Sequence, residues 1–184
     1  MIYAILSSLL LFAGLNNEQT QREPSMKHAT VVHRPSMMLI GITCRTQNSP
    51  EAAPHDIPKL WGRFYQENII GRIPNKASSE IIAIYADYEG NYTKPYTCFV
   101  GCPVTSLDEV PEGMTTKLIP EGSYALYHAT GEQPKAVIDT WEKIWDGNIE
   151  RIRKYTCDYE VYGDKFFNGT PQEVEVYVAI DVID

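Results

Sequence analysis

Hydrophobic positions recur along this chain at two spacings, every second residue and every third or fourth, and the switches between them predict its elements. Ala29 to Val32 and Met38 to Thr43 are apolar on either side of Pro35 and read as one bent strand. Asp56 can cap a helix with Pro58 in its first turn. Ile57, Leu60, Trp61, Phe64 and Tyr65 then form one apolar stripe, which Gly71 and Pro74 end. Strands follow at Glu80 to Tyr88 and Tyr96 to Val104, with Glu89 to Lys94 turning between them. After the turn Pro111-Glu112-Gly113 the order restarts. Strands are expected at Thr115 to Ile119 and Ser123 to Ala129, around Pro120-Glu121-Gly122. A helix begins near Gln133 and Pro134 with the stripe Val137, Ile138, Trp141, Ile144 and Trp145. Strands at Lys154 to Tyr162 and Glu173 to Val182 close the chain.

The two helices align at an offset of eighty residues. Trp61 lies over Trp141, the apolar stripe keeps its register, and Asn68-Ile69 lies over Asn148-Ile149. Strand, helix, strand, strand occurs twice, as in an internal duplication. The expected fold is α+β: two tandem modules, about 26–105 and about 114–184, each a helix on a small antiparallel sheet.

Strand alternation assigns faces. In the last strand Val174, Val176, Val178 and Ile180 point one way, toward the helix, and Glu173, Glu175 and Tyr177 the other. In the first module Ile82, Ile84 and Ala86 are assigned to the helix side, leaving Tyr85 and Asp87 outside. The face away from the helices is then expected to carry Tyr85, Asp87, Glu160, Tyr162, Glu175 and Tyr177, rings interleaved with acids.

Composition narrows the function. Of 184 residues 43% are hydrophobic and 22% charged, which is globular and not disordered. The net charge of −8 repels phosphate backbones and argues against direct nucleic-acid binding. Twelve Tyr, three Trp and five Phe supply enough rings to line a site. The four Cys (Cys44, Cys98, Cys102, Cys157) match no zinc spacing and read as small buried hydrophobes of a reducing compartment. Cys98 and Cys102 fall in one strand, roughly 13 Å apart at ~3.3 Å per residue, too far for a disulfide. The four His show no metal spacing, so neither metal nor cofactor is expected.

Ile2 to Leu15 is uncharged but shorter than the roughly twenty residues a membrane span needs. It has no basic residue before it, and Phe12-Ala13-Gly14 puts Phe where a signal cleavage site wants a small residue. Residues 1–25 are an apolar leader followed by a polar linker, and the chain is expected in the cytoplasm unless residues 1–15 act as a signal.

Particular stretches of the chain carry a family resemblance. Ile40-Gly41-Ile42-Thr43, Ile57-Pro58-Lys59-Leu60-Trp61-Gly62-Arg63-Phe64 and Tyr85-Ala86-Asp87-Tyr88-Glu89 carry it in the first half. Ile119-Pro120-Glu121-Gly122-Ser123-Tyr124, Trp141-Glu142-Lys143-Ile144-Trp145, Asp158-Tyr159-Glu160-Val161-Tyr162-Gly163 and Glu173-Val174-Glu175-Val176-Tyr177-Val178 carry it in the second. From Met26 to Ile180 the sequence resembles the GyrI-like effector-binding superfamily, the drug-sensing domains of AraC-type and MerR-type transcription activators. Within it, the integron-associated effector-binding proteins are the most similar subgroup. Met26-Lys27 matches the usual opening, so residues 1–25 are extra to the pattern.

The resemblance implies two modules related by a pseudo-twofold axis with a ligand groove between them. It places a carboxylate at the floor of an aromatic pocket, which by motif position is Glu160. A lone carboxylate among rings wants a counter-charge, and ring faces attract the same cation. The implied ligand is a lipophilic organic cation or drug-like amphipath. Candidate walls are Tyr162, Tyr177, Tyr85 and Tyr127, with Trp61 and Trp141 closing the groove if their stripes are open to it and otherwise packing in the core. The alternatives are a hydrolase of reactive electrophiles, with Glu160 as general base and Tyr177 or Tyr162 orienting water, or an acidic protein-interaction module. Nothing helical and basic remains outside the modules, so a transcriptional role would need a partner chain with its own DNA-binding domain. Monomer and homodimer both stay open.

Overall fold

The computed structural model describes residues 29–181. The leader and linker at 1–25, the Met26-Lys27 opening and the expected strand end at Val182 lie outside the described residues. The elements follow in the order β1 (Thr30–Arg34), β2 (Met37–Thr46), α1 (Ala53–Gln66), α2 (Ile69–Arg72), β3 (Ile81–Ala86) and β4 (Tyr96–Pro103). The second half runs β5 (Thr115–Ile119), β6 (Gly122–Thr130), α3 (Lys135–Asp146), a single 3-10 turn (Asn148–Arg151), β7 (Cys157–Tyr162), α4 (Asp164–Phe167) and β8 (Glu173–Ala179).

The eight strands of the described residues join one antiparallel sheet in the order β1-β6-β8-β7-β3-β4-β2-β5. Exchanging the two halves of the chain (β1 for β5, β2 for β6, β3 for β7, β4 for β8) reverses that order and leaves it unchanged. This is the pseudo-twofold symmetry expected of the duplication, and its axis passes between β3 and β7. The expected pair of sheets is therefore one continuous sheet, sealed at its centre by the β3–β7 ladder.

Pro35 splits the first bent strand. β1 pairs with β6, while β2 pairs with β4 and β5. Pro120 and Glu121 do the same between β5 and β6. Arg34 pairs with Gly122 and Met37 with Ile119, so the two bent strands run side by side and draw the ends of the sheet together. The curled face encloses a core of its own, including Leu39, Ile84, Phe99, Ile119, Tyr124, Tyr159 and Tyr177. The ring of Phe99 fits there because its neighbours are the paired Gly41 and Gly101. A Cβ on either would come within 2.7 Å of that ring.

The helices cover the other face. α1 lies on β2 and β4, and α3 on β6. Leu60 and Phe64 bury the α1 stripe, and Val137, Trp141 and Ile144 that of α3. α1 begins earlier than expected, at Ala53. Asp56 does not cap it and accepts a 2.9 Å hydrogen bond from the Thr46 hydroxyl, which ties the first turn to the end of β2. The helix also ends early. Asn68 adopts a left-handed backbone (φ 48°), tolerated by Asn, before the short α2.

One assignment is reversed. Ala83, Tyr85, Glu160 and Tyr162 face the helices, and Ile82, Ile84 and Ala86 face the second core. Both faces of β3 are buried, so its alternation carries no sign of which face a helix covers.

Candidate functional site: a buried carboxylate between two tryptophans

The floor of the site is the β3–β7 ladder between the two helices. Ala83 and Glu160 are register partners on it. Tyr85 stands two residues beyond Ala83, and Tyr162 two residues beyond Glu160. Antiparallel pairing therefore sets one phenol on each side of the carboxylate, each displaced by about 7 Å along its strand. The Tyr162 hydroxyl donates to Glu160 Oε2 at 2.7 Å, and the Tyr85 hydroxyl to Oε1 at 2.9 Å. From α3 the indole Nε1 of Trp141 donates to the same Oε1 at 2.6 Å.

Each helix reaches across the axis. Trp61 on α1 meets Tyr162 edge-on at 5.0 Å, and Trp141 on α3 meets Tyr85 edge-on at 5.4 Å. Tyr65 stacks on Trp61, Tyr96 abuts Tyr85, and Phe166 abuts Tyr162. The carboxylate is thus roofed by rings and only 1% exposed.

Burial raises the Glu160 carboxyl above the ordinary carboxylate range, and hydrogen bonds from Tyr162, Trp141 and Tyr85 pull it partly back. Burial, with Glu160 beside them, pushes both phenols well above the usual tyrosine range, so both remain donors. Among the described residues no Lys, Arg or His pairs with Glu160. The adjacent buried guanidinium, Arg153, is committed to the fully buried Asp158 at 2.8 Å, and lies over the rings of Tyr155 and Trp141 at 4.3 and 5.7 Å. Asp158 also accepts from Tyr88 and from the Ala179 amide. One carboxylate on this face therefore has its cation, and the other has only dipoles.

Of the expected site residues, Glu160, Tyr162, Tyr85, Trp61 and Trp141 converge. Tyr127 lies on the same face in the same cross-sheet row, through Val176, two strands from Glu160, within the cluster that holds Trp141. Tyr177 does not join them. It points into the second core, stacked on Tyr159 at 4.5 Å, with its hydroxyl on Glu175 and Arg34 over its ring. The sheet separates it from Glu160, so it can neither wall the site nor orient water there. Asp87 is exposed and held, away from Glu160, by Lys117, a strand residue opposite Leu39 of the second core.

Arg153, Tyr96 and Phe166 were missed. Arg153 precedes its strand and carries no pattern, and Phe166 follows it in a helix too short for periodicity. A surface depression of about 210 Å³, lined by His128, Glu132, Lys135 and Asp139 among others, contains none of the site's rings.

Comparison with known proteins places the family and the fold. The family model of Cass2, the integron-associated effector binding protein, matches residues 30–180. YobU of Bacillus subtilis (strain 168), named as a candidate transcriptional regulator, is 27% identical over 158 residues, covering 84% of this chain and 99% of YobU. The integron cassette protein VCH_CASS2, from the mobile metagenome of Vibrio cholerae, superposes with a TM-score of 0.65 at 24% identity, covering 84% of this chain and 97% of that one. SAV2435, solved bound to tetraphenylphosphonium, superposes with a TM-score of 0.69 at 18% identity, covering 84% and 94%. No helix among the described residues is long and apolar enough to cross a membrane. With the matched region running from β1 to the end of β8, the chain belongs to the integron-associated effector-binding protein family.

Proposed function

We propose that this chain binds lipophilic organic cations between its two tryptophans, with Glu160 as the counter-charge. One observation carries the reading: Glu160 is buried among rings, hydrogen-bonded three times, and paired with no cation among the described residues. A carboxylate in that position has lost its hydration and gained hydrogen-bond donors but no counter-charge. A flat or globular organic cation supplies the charge, and each ring face adds about 0.5–2 kcal/mol. Such contacts need no fixed hydrogen-bond directions, so the site tolerates many shapes. The solved complex of SAV2435 with tetraphenylphosphonium supports this class of ligand on the same fold.

The donors are arranged as a shutter. Trp141, Tyr85 and Tyr162 hold the carboxylate only until a cation displaces them, so binding requires the Trp61 and Trp141 rings to part. In this reading the chain is a sensor or sequestering module. Its net charge of −8 sets it against a phosphate backbone, so any transcriptional output runs through a partner chain with its own DNA-binding domain.

The test is a tryptophan-fluorescence titration with tetraphenylphosphonium and a neutral aryl compound of the same shape, on the wild type and Glu160→Gln. Saturable quenching by the cation, at least tenfold weaker in the variant, is expected. Equal affinity for the two compounds, or no saturable change with either, overturns the proposal.

A further inference from the structure

A pair of thiols flanks the site. Cys44 on β2 and Cys98 on β4 are directly opposed in register, and both belong to the core on the helix face. Directly opposed residues of an antiparallel pair have Cα atoms about 4.5–5.5 Å apart. That separation falls inside the window of about 4.4–6.8 Å that a disulfide spans. Both cysteines are free.

Their surroundings divide the labour. Cys98 is fully buried, while Cys44 is half-buried, with its sulfur 3.9 Å from the Asp56 carbonyl oxygen in the first turn of α1. Contact with the Cys98 thiol, helped by Arg63, holds Cys44 below the ordinary thiol range. The same contact and burial push Cys98 well above it. The remaining cysteines are built-in controls. Cys102 faces Ile40 and Cys157 faces Ala86 across their ladders, so neither has a thiol opposite. Burial pushes them up to about 11 and about 12.

We propose that Cys44 and Cys98 form a thiol-modification site, in which Cys44 is oxidised by a hydroperoxide and Cys98 resolves the product to a disulfide. The Cys44 thiolate attacks the terminal peroxide oxygen. The O–O bond breaks, an S–O bond forms, and the departing oxygen takes a proton and leaves as water or an alcohol. The Cys98 sulfur then attacks the Cys44 sulfur. The S–S bond forms, the S–O bond breaks, and hydroxide leaves as water with the Cys98 proton. The two sulfurs together give two electrons to the hydroperoxide. None of this depends on what the aromatic site binds.

The test exposes the full chain to hydrogen peroxide, blocks remaining thiols with a maleimide, and maps peptides without reduction. A Cys44–Cys98 linked peptide is expected, with a loss of two hydrogens in the intact mass that dithiothreitol reverses. Cys102 and Cys157 should stay free. In Cys98→Ser the reaction should stop at a sulfenic acid on Cys44, captured by dimedone. If that variant does not fold, the wild-type map decides. Full maleimide labelling of Cys44 and Cys98, under exposure that consumes free glutathione, overturns the proposal. So does scrambled linkage in which Cys102 or Cys157 takes part equally.

Discussion

Trp61 and Trp141 occupy equivalent positions on the two helices, yet among the described residues only Trp141 donates its indole N–H to a carboxylate, at 2.6 Å from Glu160. The asymmetry originates one layer below, where the axis passes between Ala83 and Glu160. One half of the duplication supplies a methyl group at that point and the other a charge. Trp141→Phe keeps a ring and removes the donor. A hydrogen bond to a charged group is worth about 1.5–3 kcal/mol, and denaturant unfolding at neutral pH should show a loss of that order. Trp61→Phe, which removes no such bond, should cost less. Equal losses for the two would refute the asymmetric role.

The raised Glu160 carboxyl gives the ligand reading a pH signature. Only the ionised form offers the counter-charge, so cation affinity should fall as pH drops through a midpoint above the ordinary carboxylate range. Affinity in Glu160→Gln should be low and flat with pH. Stability runs in the opposite sense. A carboxyl whose folded pKa lies above its unfolded one binds more protons when folded, so its contribution worsens as pH rises from the unfolded value through the folded one. Glu160→Gln should therefore gain relative to wild type above that window and lose the gain below it. Melting curves across pH check this, and a wild-type minus variant difference that does not move with pH would count against an unpaired carboxylate.

Tyr177 separates the two faces of the sheet experimentally. Sequence alternation put it beside Glu160, but its ring stacks on Tyr159 in the second core. Tyr177→Phe should leave cation affinity within about twofold of wild type. Tyr162→Phe, which removes a donor from Glu160 itself, should change it by about tenfold or more, given about 1.5–3 kcal/mol for a charged hydrogen bond. A shift in affinity for Tyr177→Phe as large as that for Tyr162→Phe would mean the sheet does not insulate the site.

These contrasts show what the sequence made legible. Helix stripes built on Trp61 and Trp141, and the repeat that aligns them, were readable because an amphipathic helix exposes one side and its period is unambiguous. The Asp158–Tyr162 segment was legible as a motif. Which face it presents was not, because Ile-Ile-Ala-Ile-Tyr-Ala in β3 is apolar on both sides and the sheet curls over a second core. Alternation reports that neighbours point apart, and it names the covered face only when the other face meets water. Arg153 was invisible for a related reason. A buried arginine is defined by its partner, and Asp158 five residues later looks like any other acid of a strand.

That ion pair yields the last prediction. Arg153 and Asp158 have side chains 1% and 0% exposed and lie beneath Trp141, beside the unpaired Glu160. Removing the cation alone strands a second carboxylate on a face that already holds one. Arg153→Met should cost about 3–5 kcal/mol, the range for breaking a buried pair from one side. The double variant Arg153→Met with Asp158→Asn should recover part of that loss, since no charge is then stranded at position 158, although the Ala179 amide and Tyr88 hydroxyl still need an acceptor. Denaturant unfolding of the two singles and the double gives the coupling directly. A double loss well below the sum of the two singles means Arg153 is there to neutralise Asp158, which keeps Glu160 the single charge on the floor of the site. Additive losses would mean that the guanidinium acts through its contacts with Tyr155 and Trp141 instead.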